Sequence, residues 1–193
     1  YFLSAISMFL LGAIDDYWSI SWRIKLPTQI LTGFLVWVQF IQEMPLITFF
    51  GYSISDNPII VGPLFVFWFV GIVNAVNLID GMDGLAGGYI FLTSFFALII
   101  GWITGNKDFI YFNTIFMGAM AAFLYFNQRP AKFFMGDSGS LLLGFHLAVL
   151  PLLYFATMPS KQIINMTPFI ILSSYLIIDT TRVFYDRLKK RMH

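Results

Sequence analysis

Three short stretches of this sequence carry residues whose types and spacing could do chemistry together. Asp15 and Asp16 are adjacent and are followed by Arg23 and Lys25. Asn74, Asn77, Asp80 and Asp83 recur at three-residue steps in Asn-Ala-Val-Asn-Leu-Ile-Asp-Gly-Met-Asp-Gly-Leu-Ala-Gly-Gly (74–88). On a helix such a row stays together for a turn or two, so amides and carboxylates leave it on one side. The glycines that follow let backbone come close to a ligand. The third stretch, Phe-Phe-Met-Gly-Asp-Ser-Gly-Ser (133–140), places Asp137 just before an apolar run. Gathered carboxylates repel one another and stay ionised together only beside a cation. A hard ion that takes one or two carboxylates, waters and phosphate oxygens fits, with Mg²⁺ first and Mn²⁺ as its alternative. A calcium loop does not, because it needs acids at alternate positions and a closing Glu.

Plainer readings stay open at this level. Asp137 or Ser138 would serve as a helix N-cap, although small residues before a helix N-terminus also suit phosphate. An adjacent acid pair such as Asp15–Asp16 often just sits in water. Asp179 is a functional candidate because it lies near the end of an apolar run, and pairing with Arg182 explains it equally well. His146, well inside an apolar run, reads as an interhelical hydrogen bond and not a ligand. His193 is assigned nothing, and the terminal Arg187, Lys189, Lys190 and Arg191 read as a topology anchor.

The elements that must position these groups follow from composition. Hydrophobic residues make up 59% of the chain and charged residues 11%, against about 45–50% and about 25% in a soluble domain. Uncharged runs at 26–42, 57–79, 84–106, 109–128, 138–160 and 162–178 are each 17 to 23 residues long, and 1–14 adds a shorter one. A helix needs ~20 residues to cross a bilayer, and backbone in lipid must bond within its own segment. The expected fold is therefore an all-α polytopic membrane protein with about six complete transmembrane helices and one truncated helix. Residues 48–54 and 59–61, with 55–58 between them, read as a short external β-hairpin. Pro63 and Pro168 are expected at helix starts, and Pro151 within the sixth span.

If each run crosses once, nine of the eleven basic residues fall on one face, which marks it as cytoplasmic. Asp15, Asp16, Asp80, Asp83 and Asp137 land on that same face, from three loops. The cytoplasmic connections are expected near 15–25, 80–88, 127–139 and 187–193. A net charge of +1 leaves no basic field for a nucleic acid, and the absence of Cys excludes disulfides and thiol chemistry. The chain reads as a single membrane domain over 1–193, lacking N- and C-terminal parts of a longer protein.

Leu-Gly-Ala-Ile-Asp-Asp (11–16) with Ser-Trp-Arg-Ile-Lys (21–25), the 74–88 motif, and Phe-Phe-Met-Gly-Asp-Ser-Gly-Ser-Leu-Leu-Leu-Gly-Phe (133–145) occur in that order. In this the chain resembles the polyprenyl-phosphate N-acetylhexosamine-1-phosphate transferases, glycosyltransferase family 4, of the MraY and WecA type. The resemblance implies transfer of a sugar 1-phosphate, GlcNAc-1-phosphate first among the candidates, from a UDP-N-acetylhexosamine to undecaprenyl phosphate. UMP is released, as the first membrane step of cell-envelope glycan synthesis such as O-antigen or cell wall. It implies a bacterial inner-membrane enzyme with a cytoplasmic active site, and a homodimer as its partner state. By resemblance Asp137 is the principal Mg²⁺ ligand, with Asp16 as a second. Asp15 and Asp16 match the family's catalytic pair; Asn74, Asn77, Asp80 and Asp83 line the nucleotide site. Phe134 matches an aromatic that stacks on the base, and Lys25 a residue that meets phosphates. The family continues into a His-rich loop that this sequence does not contain. Two other classes use similar groups: a Mg²⁺-dependent membrane prenyltransferase, and a cation- or proton-coupled transporter with carboxylates at mid-membrane depth.

Overall fold

A computed structural model describes residues 1–40, 46–55, 57–158 and 163–191. Its helices are α1 (Phe2–Trp18), α2 (Trp22–Phe40), α3 (Pro58–Ile79), α4 (Leu85–Thr104), α5 (Lys107–Asn127), α6 (Gly136–Thr157) and α7 (Thr167–Arg191). Four of them, α3 to α6, are long and apolar enough to cross a membrane by length and composition. That is a coarser statement than six complete spans. α2 is cut short of this measure by Arg23 and Lys25 near its start and by Thr28, Gln29, Thr32 and Gln39 beyond them. α7 is cut short by its charged last third.

The connections differ from their expected bounds. Only 19–21 interrupts the helix between Asp15 and Lys25, with Ser19 left-handed at φ 48°. Asp15 and Asp16 thus stand on the last turn of α1 and Lys25 on the first turn of α2. The second connection narrows to 80–84 and the third to 128–135, while α7 stays helical to Arg191. Pro63 lies inside α3, because Pro58 takes the first helical position and the Asn57 side chain accepts from Ile59 N at 3.0 Å. Pro168 is the second residue of α7, and Pro151 lies inside α6 as expected.

The hairpin is shifted. Its strands are β1 (Leu46–Phe49) and β2 (Tyr52–Ser55), paired antiparallel. Phe50 and Gly51 between them have φ of 47° and 80°. Two positive-φ residues make the tight turn that suits strand twist, usually built from Asn-Gly. Residues 59–61, expected as the second strand, form the first turn of α3. A third strand not foreseen, β3 (Ile163–Asn165), runs parallel to β1 and gives the order β2-β1-β3.

Of the four apolar helices, α6 is central: 72% of its apolar stretch is buried, against 11% for α5. Leu141, Leu143, Phe145, Leu147, Ala148, Leu150 and Leu152 fill the core against Met8 and Leu11 of α1 and Phe69, Val73 and Val76 of α3. His146 is fully buried there, with Nδ1 3.3 Å from the Tyr1 hydroxyl and its ring stacked on Phe116 at 3.5 Å. The expected interhelical partner is thus replaced by Tyr1, the residue that precedes α1. The close packing of α1 on α6 needs Gly12, where a β-carbon would overlap the backbone of Asp137 and Ser138.

Candidate active site

α1, α2, α3 and α6 bring their ends together at one end of the bundle, where Asp137 is the meeting point. Lys25 Nζ donates to Asp137 Oδ2 at 3.0 Å, and Asn77 Nδ2 donates to Asp137 Oδ1 at 2.9 Å. Each oxygen of one carboxylate is thus held by a different helix. The same lysine pairs with Asp15, whose side chain is only 5% exposed. One ammonium therefore balances two carboxylates, of which Asp15 is the buried one. Asn77 also donates to the buried Ser140 hydroxyl at 2.8 Å, which ties α3 to the first turn of α6.

Asp16, next to Asp15, turns outward and does something different. Its Oδ1 accepts from Asp137 N at 2.7 Å and its Oδ2 from Ser138 N at 3.0 Å. It satisfies two of the free N–H groups that begin α6, and its charge suits the positive end of the helix dipole. Neither Asp137 nor Ser138 caps the helix by its own side chain. The approach requires Gly136, at φ 67°, where a β-carbon would stand 2.8 Å from Asp16 Oδ2.

Asp80 follows the last turn of α3, half-buried. Burial first, then the charges of Asp137 and Asp16, push its carboxyl up to about 6 from an ordinary 3.8. The loop it opens is pinned to the 128–135 connection. Asp83 Oδ2 accepts from Ala131 N at 3.1 Å. Asn127, buried at the end of α5, accepts from Gly84 N at 2.9 Å and donates to Phe133 O at 2.7 Å. Between the two loops lies a cavity of about 230 Å³ that Asp80, Asp83, Asn127, Phe134 and Gly136 help to line. Phe134 is 71% exposed, leaving a ring face free for an aromatic ligand.

The structure therefore divides the residues singled out in the sequence. Asp15, Asp16, Lys25, Asn77 and Asp137 form one contact network, and Asp80, Asp83 and Phe134 share the adjoining cavity. Asn74 joins neither directly, for it is paired with Gln29 of α2 through two hydrogen bonds, at 2.6 and 3.4 Å. Asp179 makes no ion pair with Arg182 among the described residues. Three further residues bear on the site: Gln29, Asn127 and Ser140. Ser140 closes the 133–140 stretch, and that place was its only signal. Gln29 follows Lys25 by four residues, one helical turn, and that spacing was its signal. Asn127 had none beyond its place at the end of an apolar run.

Among the described residues no three acidic or histidine side chains are grouped closely enough to cage a metal ion. Asp137 and Asp16 offer hard carboxylate oxygens that would suit a divalent cation completed by phosphate oxygens. Asp137 and Asp16 are in contact through the α6 N-terminus, and their charges act on Asp80.

Residues 1–155 match the family model described as Glycosyl transferase family 4. The chain is 31% identical over 191 residues to a Bacillus subtilis protein named as a probable undecaprenyl-phosphate N-acetylglucosaminyl 1-phosphate transferase, covering 96% of this chain and 51% of that protein. It is 37% identical over 155 residues to the undecaprenyl-phosphate alpha-N-acetylglucosaminyl 1-phosphate transferase of Thermotoga maritima, covering 80% of this chain and 45% of the relative. With the phospho-N-acetylmuramoyl-pentapeptide-transferase of Streptococcus pneumoniae the identity is 34% over 153 residues, 73% of this chain and 45% of the relative. The chain spans about half the length of the curated relatives it matches. The matched stretch contains all three ordered motifs, and the chain belongs to glycosyl transferase family 4.

Proposed function

We propose that the protein transfers a sugar 1-phosphate from a UDP-N-acetylhexosamine, GlcNAc first among them, to undecaprenyl phosphate at the cytoplasmic face of a bacterial inner membrane. The observation that carries this reading is the Asp137 carboxylate, gripped by Lys25 and Asn77 beside a cavity that holds Asp80, Asp83 and an exposed Phe134. A nucleoside diphosphate has the matching parts, a base to stack on Phe134 and a diphosphate that reaches toward Asp137. The relatives' printed names supply the acceptor lipid and the kind of sugar phosphate.

In this reading a phosphate oxygen of the lipid attacks the sugar-bearing phosphorus of the donor. The bond from that phosphorus to the UMP oxygen breaks, and UMP leaves with the electron pair. A carboxylate of the Asp15–Asp16 pair accepts the proton if the lipid phosphate arrives monoprotonated. Lys25 lies between two carboxylates where the attacking and donor phosphates must meet, and offsets part of their repulsion. Asp137, with Asp16 behind it, would hold Mg²⁺ or Mn²⁺, which polarises the diphosphate and stabilises the departing phosphate charge. An apolar groove of about 910 Å³ runs between α2 and α3 from Leu26, next to Lys25, to Pro58 and Ile59. It gives the isoprenoid chain a bed that ends at the phosphate site. A homodimer, common to the family resemblance, completes this reading.

All the candidate acids but Asp179, which lies inside α7, stand at helix ends, so no observation favours a transporter with its carboxylates at mid-membrane depth. Asp15–Asp16 lacks the spaced third acid of a prenyltransferase. The test is label transfer from a UDP-N-acetylhexosamine into the lipid extract, using the protein expressed from its complete gene with undecaprenyl phosphate. Wild-type protein forms a labelled lipid diphosphate, and Asp137→Asn lowers the rate on the order of 100-fold or more. An Asp137→Asn variant that keeps the wild-type rate overturns the site.

A further inference from the structure

Gln29 is 1% exposed on α2, a long amide side chain buried on the same face as Thr32, Val36 and Trp37. Its Oε1 accepts from Asn74 Nδ2 at 2.6 Å, and its Nε2 donates to Asn74 Oδ1 at 3.4 Å. The Asn74 Nδ2 also donates to Val70 O at 2.8 Å, one turn back on its own helix. Both residues are thus committed to each other, and neither lines the cavity around Phe134.

Their position gives the pair a consequence. Gln29 stands one turn below Lys25 on α2, and Asn74 about one turn below Asn77 on α3. The upper two residues grip the two oxygens of the Asp137 carboxylate, at 3.0 and 2.9 Å. The lower two grip each other. A further turn down α2, Thr32 Oγ1 lies 3.3 Å from Ser7 Oγ of α1. Among the described residues α2 and α3 have few polar ties of this kind, and the apolar groove between them runs from Leu26 past the level of this pair to Pro58 and Ile59. Apolar side chains in lipid give little resistance to sliding of one helix along another, whereas an amide pair leaves unpaired polar groups if it slips.

We propose that Gln29 and Asn74 are positioning residues, an amide clamp that sets the height of α2 against α3 and so keeps Lys25 and Asn77 on opposite oxygens of Asp137. The inference rests on reading Asp137 as the centre of a metal-dependent transferase. Breaking the clamp leaves the cavity and its groups intact but lets the lysine drift. A displacement of that kind acts on the reacting phosphates more than on nucleotide binding.

Three measurements on the protein expressed from its complete gene test this. In Gln29→Leu, kcat falls about tenfold or more while KM for the UDP-sugar stays within about twofold. The half-saturating Mg²⁺ concentration rises about three- to tenfold, less than the roughly 10–100-fold of a residue bonded directly to a metal ligand, because the clamp acts through Lys25 and Asn77. A label pair at Arg23→Cys on α2 and Leu78→Cys on α3, both exposed, reads the α2–α3 spacing without metal or substrate. It gives one narrow distance in the wild type and a broad one in Gln29→Leu. The exchanged pair Gln29→Asn with Asn74→Gln restores kcat to within about threefold, because the clamp keeps its summed length. If Gln29→Leu fails to fold, Asn74→Leu, at an exposed position, carries the same predictions. Unchanged kcat and spacing in these variants overturn the clamp, and so does a raised KM in Asn74→Leu with Gln29→Leu unaffected. A wild-type protein with no transferase activity overturns the transferase reading instead.

Discussion

Asp137 and Asp80 lie in the same acidic corner but meet opposite environments. Asp137 has a lysine and an amide on its oxygens, whereas Asp80 is half-buried with two like charges facing it. Its carboxyl is raised from 3.8 to about 6. A group whose folded-state value is raised holds its proton more tightly folded than unfolded. Its contribution to stability is complete below about 4 and is lost as pH rises through about 6. Without divalent cations in detergent, the unfolding temperature should therefore fall between about pH 4 and pH 7. Asp80→Asn should flatten that fall, and Mg²⁺ added at neutral pH should reverse part of it in the wild type. A melting curve indifferent to both changes would remove the like-charge account of this corner.

At the scale of elements, the site is made by where helices stop. α1 ends three residues after Asp15, α3 ends one residue before Asp80, and α6 begins one residue before Asp137. The contact that registers α1 on α6 passes through Gly12, so Gly12→Leu should separate these two ends. A cost of about 1–3 kcal/mol is expected from overpacking alone. The Asp16 bonds to the α6 N-terminus should be lost with it, read as a lower unfolding temperature and reduced lipid labelling. A variant that matches wild type in both would show that α1 tolerates displacement.

Much of this was legible in the sequence because charges are few and mark where helices end. Asp15, Asp16, Asp80, Asp83 and Asp137 could be collected on one face by counting apolar runs. Their division of labour could not, since the Asp16 bonds go to backbone N–H groups 121 and 122 residues away. Asn74 looked equivalent to Asn77 because both sit on one three-residue row. The structure separates them because Gln29 faces one and Asp137 the other. The hairpin went astray for a local reason: Phe50–Gly51 makes the turn without Asn or Asp, so the Ser-Asp-Asn-Pro at 55–58 drew the turn assignment. β3 pairs across more than 110 residues with β1, and three residues of Ile-Ile-Asn give no signal of that partner.

For the whole molecule, the site and the sheet lie at opposite ends of the helices, which fixes a test of sidedness. Nine of eleven basic residues were assigned to the face that bears the site. A single cysteine at Lys132, exposed in the 128–135 connection, should react only with a reagent supplied from the cytoplasm. One at Tyr52, 79% exposed in β2, should react only from the other side. The reverse pattern would turn the protein over and take the site away from a cytoplasmic nucleotide.

In the proposed reaction this corner breaks and remakes the bond between UMP and a sugar-bearing phosphate, with Asp137 at its centre. Exchange of labelled UMP into a UDP-N-acetylhexosamine, in membranes containing the protein from its complete gene and undecaprenyl phosphate, measures that bond directly. Exchange should need both Mg²⁺ and the lipid phosphate and should disappear in Asp137→Asn. Exchange that persists undiminished in Asp137→Asn, or its absence with every UDP-N-acetylhexosamine in active membranes, would contradict it.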